Sequence, residues 1–178
     1  MSEASPQLGG LDRVGIVVPI PEPQAAQLTA VRRASGDPYA EVPPHLTLLT
    51  GIPVSDWNAV VEHVAAVASR AEPFTVRFSG TDTFRPLTPV VFARVEAGGR
   101  ECSELYAALQ DGPLSAPSAF PFVPHVTLAQ GVPNDVLDAV QLANAGQEWT
   151  LRADQISLYG DLGDENWTLR ATFPLGAS

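Results

Sequence analysis

Pro43–Val54 reads PPHLTLLTGIPV and Val123–Asn134 reads VPHVTLAQGVPN, so proline, histidine, threonine, leucine, glycine and proline recur in matching places at an offset of 80 residues, His45 to His125. Each stretch is a short apolar run bounded by turn residues, the pattern of a buried strand. Successive side chains of a strand point to opposite faces, so His45 and Thr47 share one face while Leu46 and Leu48 occupy the other. His125 and Thr127 separate from Val126 and Leu128 in the same way. The aliphatic side chains anchor both strands in a core, and the histidines and threonines are left to face a common cleft.

The flanks of the two stretches also match. Ahead of the first lie a β-branched run, Val14 to Ile20, and a helix expected over Pro23 to Ala34. Behind it, Ser55 or Asp56 caps a helix with Trp57, Val60, Val61, Val64 and Val67 or Ala68 on one face; Phe74, Val76 and Phe78 then alternate with polar residues. Around the second stretch come a strand over Val90 to Val95, a helix over Glu101 to Gln110, a proline-rich loop over Gly112 to Pro124, a helix capped by Asn134, and a strand over Glu148 to Ala153. Val90 to Val95 is the expected hairpin partner of the run Phe74 to Phe78, across a loop from Gly80 to Pro89. Strands over Ile156 to Gly160 and Trp167 to Phe173 follow, with an acidic turn, Asp161 to Asn166, between them. Each half therefore reads β–α–β–α–β. The expected fold is α+β: a single domain over residues 1–178, two lobes related by a pseudo-twofold, and mainly antiparallel sheets flanking a central cleft, with residues 1–12 as a flexible lead.

The chain has 178 residues, 45% of them hydrophobic, enough for one domain with a real core. All ten basic residues are arginine, against 20 acidic ones, for a net charge of −10. That balance weighs against extended nucleic-acid binding or attachment to anionic membranes and leaves room for a small anionic ligand. Without lysine there is no lysyl-nucleotide intermediate, Schiff base or Walker-type phosphate contact. Cys102 is the single cysteine, so neither an internal disulfide nor a thiolate zinc cluster forms; this fits a reducing cytoplasm and a small buried side chain. The uncharged run Gly112 to Asn134 contains five prolines and is no membrane helix.

Only three histidines occur, and two fall at the matched positions; the third, His63, belongs at the surface or rim of its helix. Imidazole titrates near pH 6.5, so one ring accepts a proton while its neighbour donates one, and two hydroxyls hold phosphate oxygens as charge builds. Two histidines without a third ligand make an incomplete zinc site, so no metal or other cofactor is expected. Arg85, in the loop between strands, is a candidate phosphate contact or a solvent-exposed arginine. Tyr39, Phe84, Phe120 and Phe122 are candidates to stack on a base or to serve as core residues.

The pair HLTL (His45 to Leu48) and HVTL (His125 to Leu128) resembles the tandem His-x-Thr-x signature of the two-histidine (2H) phosphoesterase superfamily. It is most similar to the bacterial and archaeal 2'-5' RNA ligases or RNA 2',3'-cyclic phosphodiesterases. The resemblance runs from Gly15 to Phe173 and includes Phe84-Arg85 ahead of VVFARV, the helix SELYAAL, and Phe122, Pro124 and His125. It implies a metal-independent phosphodiesterase acting on 2',3'-cyclic phosphates of small nucleotides or short RNA ends. His45 would be the base and His125 the acid, with Thr47 and Thr127 on the phosphate. Relatives acting on RNA often carry arginine shortly after the second motif, where this chain has Gln130; with the acidity, that favours a small substrate. The competing expectation is a module that holds a nucleotide or phosphorylated metabolite without turnover.

Overall fold

In the computed structural model, which describes residues 12–161, 163 and 166–177, twelve main elements follow one another. They are β1 (Arg13–Pro19), α1 (Gln24–Ser35), β2 (His45–Pro53), α2 (Trp57–Arg70), β3 (Phe74–Thr83), β4 (Val90–Ala97), α3 (Gly99–Leu109), β5 (His125–Gln130), α4 (Asn134–Ala143), β6 (Glu148–Ala153), β7 (Gln155–Asp161) and β8 (Thr168–Pro174). A short 3-10 turn, Gly112–Leu114, interrupts the proline-rich segment. All but the last residue of the expected lead, and residues 162, 164 and 165 of the expected acidic turn, lie outside the described residues.

The strands form one antiparallel sheet in the order β6-β3-β4-β5-β2-β1-β7-β8. The two histidine strands are thus central neighbours. This corrects the expectation of separate sheets on either side of a cleft. β3 pairs with β6 from the second half and β1 is flanked by β7, while β3 and β4 form the expected hairpin. The physical reason is proximity: only Phe84 to Pro89 separate β3 from β4, and a short connection makes the local hairpin the least costly pairing. β3 also runs on through the expected loop, with Thr81 opposite Ala93 and Thr83 opposite Val91.

Leu46, Leu48, Val126 and Leu128 are all buried and join one hydrophobic cluster that includes Leu28 of α1, Val60 and Val64 of α2, Leu105 and Leu109 of α3, and Leu137 of α4. Each such side chain contributes about 1.5–3 kcal/mol by leaving water. All four helices thus feed the core on the leucine face, and the histidine face is left for chemistry. α2 starts as expected: Asp56 accepts hydrogen bonds from the N–H groups of Asn58 and Ala59 at 2.9 and 3.2 Å. α4 does not. Its N-cap is Pro133, with no side-chain cap bond, and Asn134 is the first helical residue. Extended backbone at Pro133 (φ −57°, ψ 155°) makes it the cap and starts the helix one residue earlier than expected, at Asn134, where the asparagine has no cap to make. His63 is half-buried, its Nε2 3.2 Å from the Leu109 carbonyl, which ties α2 to the end of α3.

Candidate active site

Each histidine follows a proline, and its ring turns back on the backbone two residues upstream. Nδ1 of His45 lies 2.7 Å from the Pro43 carbonyl oxygen, and Nδ1 of His125 lies 2.8 Å from that of Val123. A carbonyl only accepts, so Nδ1 carries the proton in both rings and Nε2 is the nitrogen offered to a ligand. The matched glycines behave alike too: Gly51 and Gly131 adopt φ of 70° and 66°, a left-handed conformation that lets the chain turn after each strand.

Leu46 stands directly opposite Val126 where β2 meets β5. Antiparallel pairing about that point sets His45 abreast of Thr127 and Thr47 abreast of His125, all four on the face opposite the core. All four are half-buried. The structure therefore brings together His45, His125, Thr47 and Thr127.

Arg85 is engaged elsewhere. Its guanidinium pairs with Asp138 of α4 at 2.9 Å and donates to Gln141 Oε1 at 3.1 Å, and its Nε donates to Thr83 Oγ1 at 3.1 Å. These bonds clamp the β3–β4 turn onto α4. The preceding Phe84 meets the His125 ring edge to face, with centroids 4.8 Å apart and planes at 85°, and packs against Phe92 with centroids 4.3 Å apart and planes tilted by 30°. Phe92 is itself 5.1 Å from the imidazole. Of the other candidate aromatics, Phe122 stacks on Tyr106, and Tyr39 and Phe120 are exposed.

The loop delivering His45 has its own support. Arg32 and Asp37, both buried, pair at 2.8 Å; Arg32 Nη1 donates to the Val42 carbonyl, and Asp37 accepts from the Tyr39 N–H at 2.7 Å. Burial pushes the His45 pKa below its ordinary value, opposed by the bond to Pro43 and reinforced by the Arg32 charge. His125 is lowered by burial as well, opposed by the bond to Val123, with His45 adding repulsion.

Sequence reasoning missed three side chains. Arg94 is the cross-strand partner of His125, so it shares the histidine face, and it makes no hydrogen bond or ion pair among the described residues. Phe92 flanks it. Both alternate correctly in VVFARV, but only the pairing of β4 with β5 shows which face they join. Trp167, read only as the start of a strand, lines a cavity of about 480 Å³ that opens beside His45 and Thr47. Cys102 is fully buried, and its thiol pKa is pushed up to about 12, chiefly by burial. Among the described residues no three His, Cys, Asp or Glu side chains converge as a metal site.

Comparison with known proteins gives the family and the fold. The family model described as the 2'-5' RNA ligase superfamily matches residues 20–165. A Bacillus pumilus protein named "Putative phosphoesterase" is 34% identical over 167 residues, 90% of this chain and 96% of its own. Among solved structures, E. coli LigT complexed with NADP+ superposes with a TM-score of 0.71 at 21% identity, over 94% of this chain and all of LigT. LigT complexed with 3'-AMP gives 0.66 at 20%, with the same coverage.

Proposed function

This chain belongs to the 2'-5' RNA ligase superfamily of 2H phosphoesterases, and from that premise we propose that it opens 2',3'-cyclic phosphates of nucleotides or short RNA ends by metal-independent acid–base catalysis. One observation carries the reading. Two imidazoles, each with Nδ1 tied to a carbonyl at 2.7 or 2.8 Å, present Nε2 on the same face as two threonine hydroxyls. Simple binding has little use for two titrating rings held in one tautomer. LigT, which shares the fold, is complexed with 3'-AMP in one structure and NADP+ in another, so small nucleotides suit this architecture.

In-line displacement sets the attacking water and the departing ribose oxygen on opposite sides of phosphorus, and the nucleoside stays with the departing oxygen. Room for a nucleoside lies beside His45, where the cavity opens. His45 is accordingly the acid and His125 the base, the reverse of the direction that the motif resemblance implies. His125 Nε2 takes a proton from water as the new P–O bond forms. The bond to the ribose oxygen breaks, and His45 Nε2 protonates that oxygen, leaving a phosphomonoester. Thr47 and Thr127 donate to the non-bridging oxygens. Arg85 acts at one remove, by holding Phe84 against His125.

The test is a panel of nucleoside 2',3'-cyclic phosphates and short RNAs with cyclic ends, assayed in chelator for 2'- or 3'-phosphate product. Turnover supports the reading. Binding without turnover across the panel replaces it with the nucleotide-holding module, and turnover only on adding a divalent metal overturns the metal-independent mechanism.

A further inference from the structure

The two sides of the histidine pair have different neighbours. β4, β5, β2 and β1 lie in that order in the sheet, so His125 is next to β4 and His45 next to β1. The cavity of about 480 Å³ takes its described lining residues from β2, β1, β7 and the segments beside them, and none from β4 or β5. It therefore belongs to the His45 side alone. On the β4 side of His125 two phenylalanines occupy the face. Phe92 of β4 pairs with Thr127, so its ring rises on the histidine face; it is 3% exposed, with its centroid 5.1 Å from that of the imidazole. Phe84 packs against it at 4.3 Å and meets His125 at 4.8 Å with the planes at 85°.

Phe84 sits in the β3–β4 turn, and the turn is pinned. Its N–H donates to the Val90 carbonyl at 3.1 Å, and Arg85 binds Asp138 and Gln141 of α4. Arg94, the residue paired with His125, reaches the other way: its Nη2 lies 3.6 Å from where a Cβ on Gly80 of β3 would stand. An in-line displacement uses the two sides differently. The nucleoside departs toward His45 and its cavity, so the nucleophile enters on the His125 side. Water brings only hydrogens, one of which passes to His125 Nε2. An alcohol brings a carbon on the same oxygen, and that carbon needs room on the side that Phe84 and Phe92 occupy.

We propose that Phe84 and Phe92 select the nucleophile: they admit water and exclude alcohols, so that the chain hydrolyses a cyclic phosphate and does not transfer it to a second hydroxyl. The inference rests on the phosphodiesterase reading above, with His125 as the base. With water, the new P–O bond forms, the ribose P–O bond breaks, one proton passes to His125 and another leaves His45, and the product is a phosphomonoester. With an alcohol the same bonds and protons change places, but the oxygen keeps its carbon and the product is a phosphodiester. The product therefore reports which nucleophile entered.

The experiment incubates full-length wild type, Phe84→Ala, Phe84→Leu and Arg85→Met with adenosine 2',3'-cyclic phosphate in water containing methanol, with thermal midpoints confirming folding. It reads the ratio of methyl phosphodiester to phosphomonoester. Both products share the substrate, the acid and the base, so a merely structural loss lowers both and leaves the ratio where it was. Room for one methyl group corresponds to roughly 10- to 200-fold in selectivity. Wild type should form the monoester almost alone. Phe84→Ala should raise the ratio by that factor and Phe84→Leu by less; Arg85→Met, which frees the turn but keeps the ring, should raise it too. A wild-type ratio equal to that of methanol to water in the solvent overturns the proposal. So does a ratio unmoved in Phe84→Ala, or in Arg85→Met should the alanine variant fail to fold. If wild type forms neither product, the phosphodiesterase reading fails, and the two rings are judged by binding alone. Affinity for the methyl ester of adenosine 3'-monophosphate, relative to the parent nucleotide, should then rise in Phe84→Ala; an unchanged relative affinity removes their role.

Discussion

Asp37→Ala removes one half of the buried ion pair beneath the loop that carries His45. The carboxylate is wholly enclosed and its partner Arg32 is 3% exposed, so the substitution strands a guanidinium away from water with only the Val42 carbonyl to receive it. It also deletes the acceptor for the Tyr39 N–H at 2.7 Å. Breaking a buried pair in this way costs about 3–5 kcal/mol, and for a chain of this size that corresponds to a drop of roughly 6–20 °C in Tm. Function should suffer with stability. Val42 and Pro43 are adjacent, and the Pro43 carbonyl is the group that orients the His45 ring, so a loosened loop lowers kcat. Without its counter-charge, Arg32 also presses harder on the His45 proton, moving the alkaline limb of kcat/KM, which reports loss of the acid's proton, to lower pH. Urea unfolding at pH 7 measures the first effect and a pH series of kcat/KM the second. Arg32→Met combined with Asp37→Ala should recover most of the stability, because neither charge then remains buried. A loss below about 1 kcal/mol in the single variant, or a double variant as unstable as the single, refutes the reasoning.

Replacing His45 or His125 by alanine should lower kcat by roughly 10²- to 10⁴-fold with the far-ultraviolet circular dichroism unchanged; near-normal rates in both variants contradict acid–base roles. Both imidazoles have pKa values held below the ordinary 6.5, so the singly protonated pair peaks below that value and kcat/KM should trace a bell centred below pH 6.5. The same shifts bear on stability: as pH falls from 6.5 through the lowered native values, the unfolded chain binds protons that the native pair refuses. The urea midpoint should therefore decline from pH 7.5 to 5.5 in wild type and decline less in the variant lacking both histidines. Cys102, with its thiol raised to about 12, should resist a thiol reagent at pH 8 and react only at the rate of unfolding; fast labelling of the native protein contradicts its burial.

The repeated stretch Pro43–Val54 and Val123–Asn134 by itself determined a great deal. Period-two alternation assigned Leu46, Leu48, Val126 and Leu128 to the core and the histidines and threonines to one face, because the direction of a strand side chain is a local property. Asp56 as a cap and the buried stripe of α2 were legible for the same reason. Pairing is not local. That β2 lies against β5 with Leu46 opposite Val126, that β3 takes β6 from the other half on its far edge, and that Arg94 of β4 is paired with His125 of β5 all depend on which distant strands share hydrogen bonds. The direction of a long side chain is not local either: Arg85 could extend toward phosphate or toward α4, and Asp138 and Gln141, more than fifty residues away, decided for α4. Trp167 gained its place in the cavity only because Gly15, at the other end of the chain, leaves room for an indole. The sequence sets periodicity and chemistry residue by residue. The tertiary structure decides neighbours, because those are chosen by packing among segments the chain brings together from far apart.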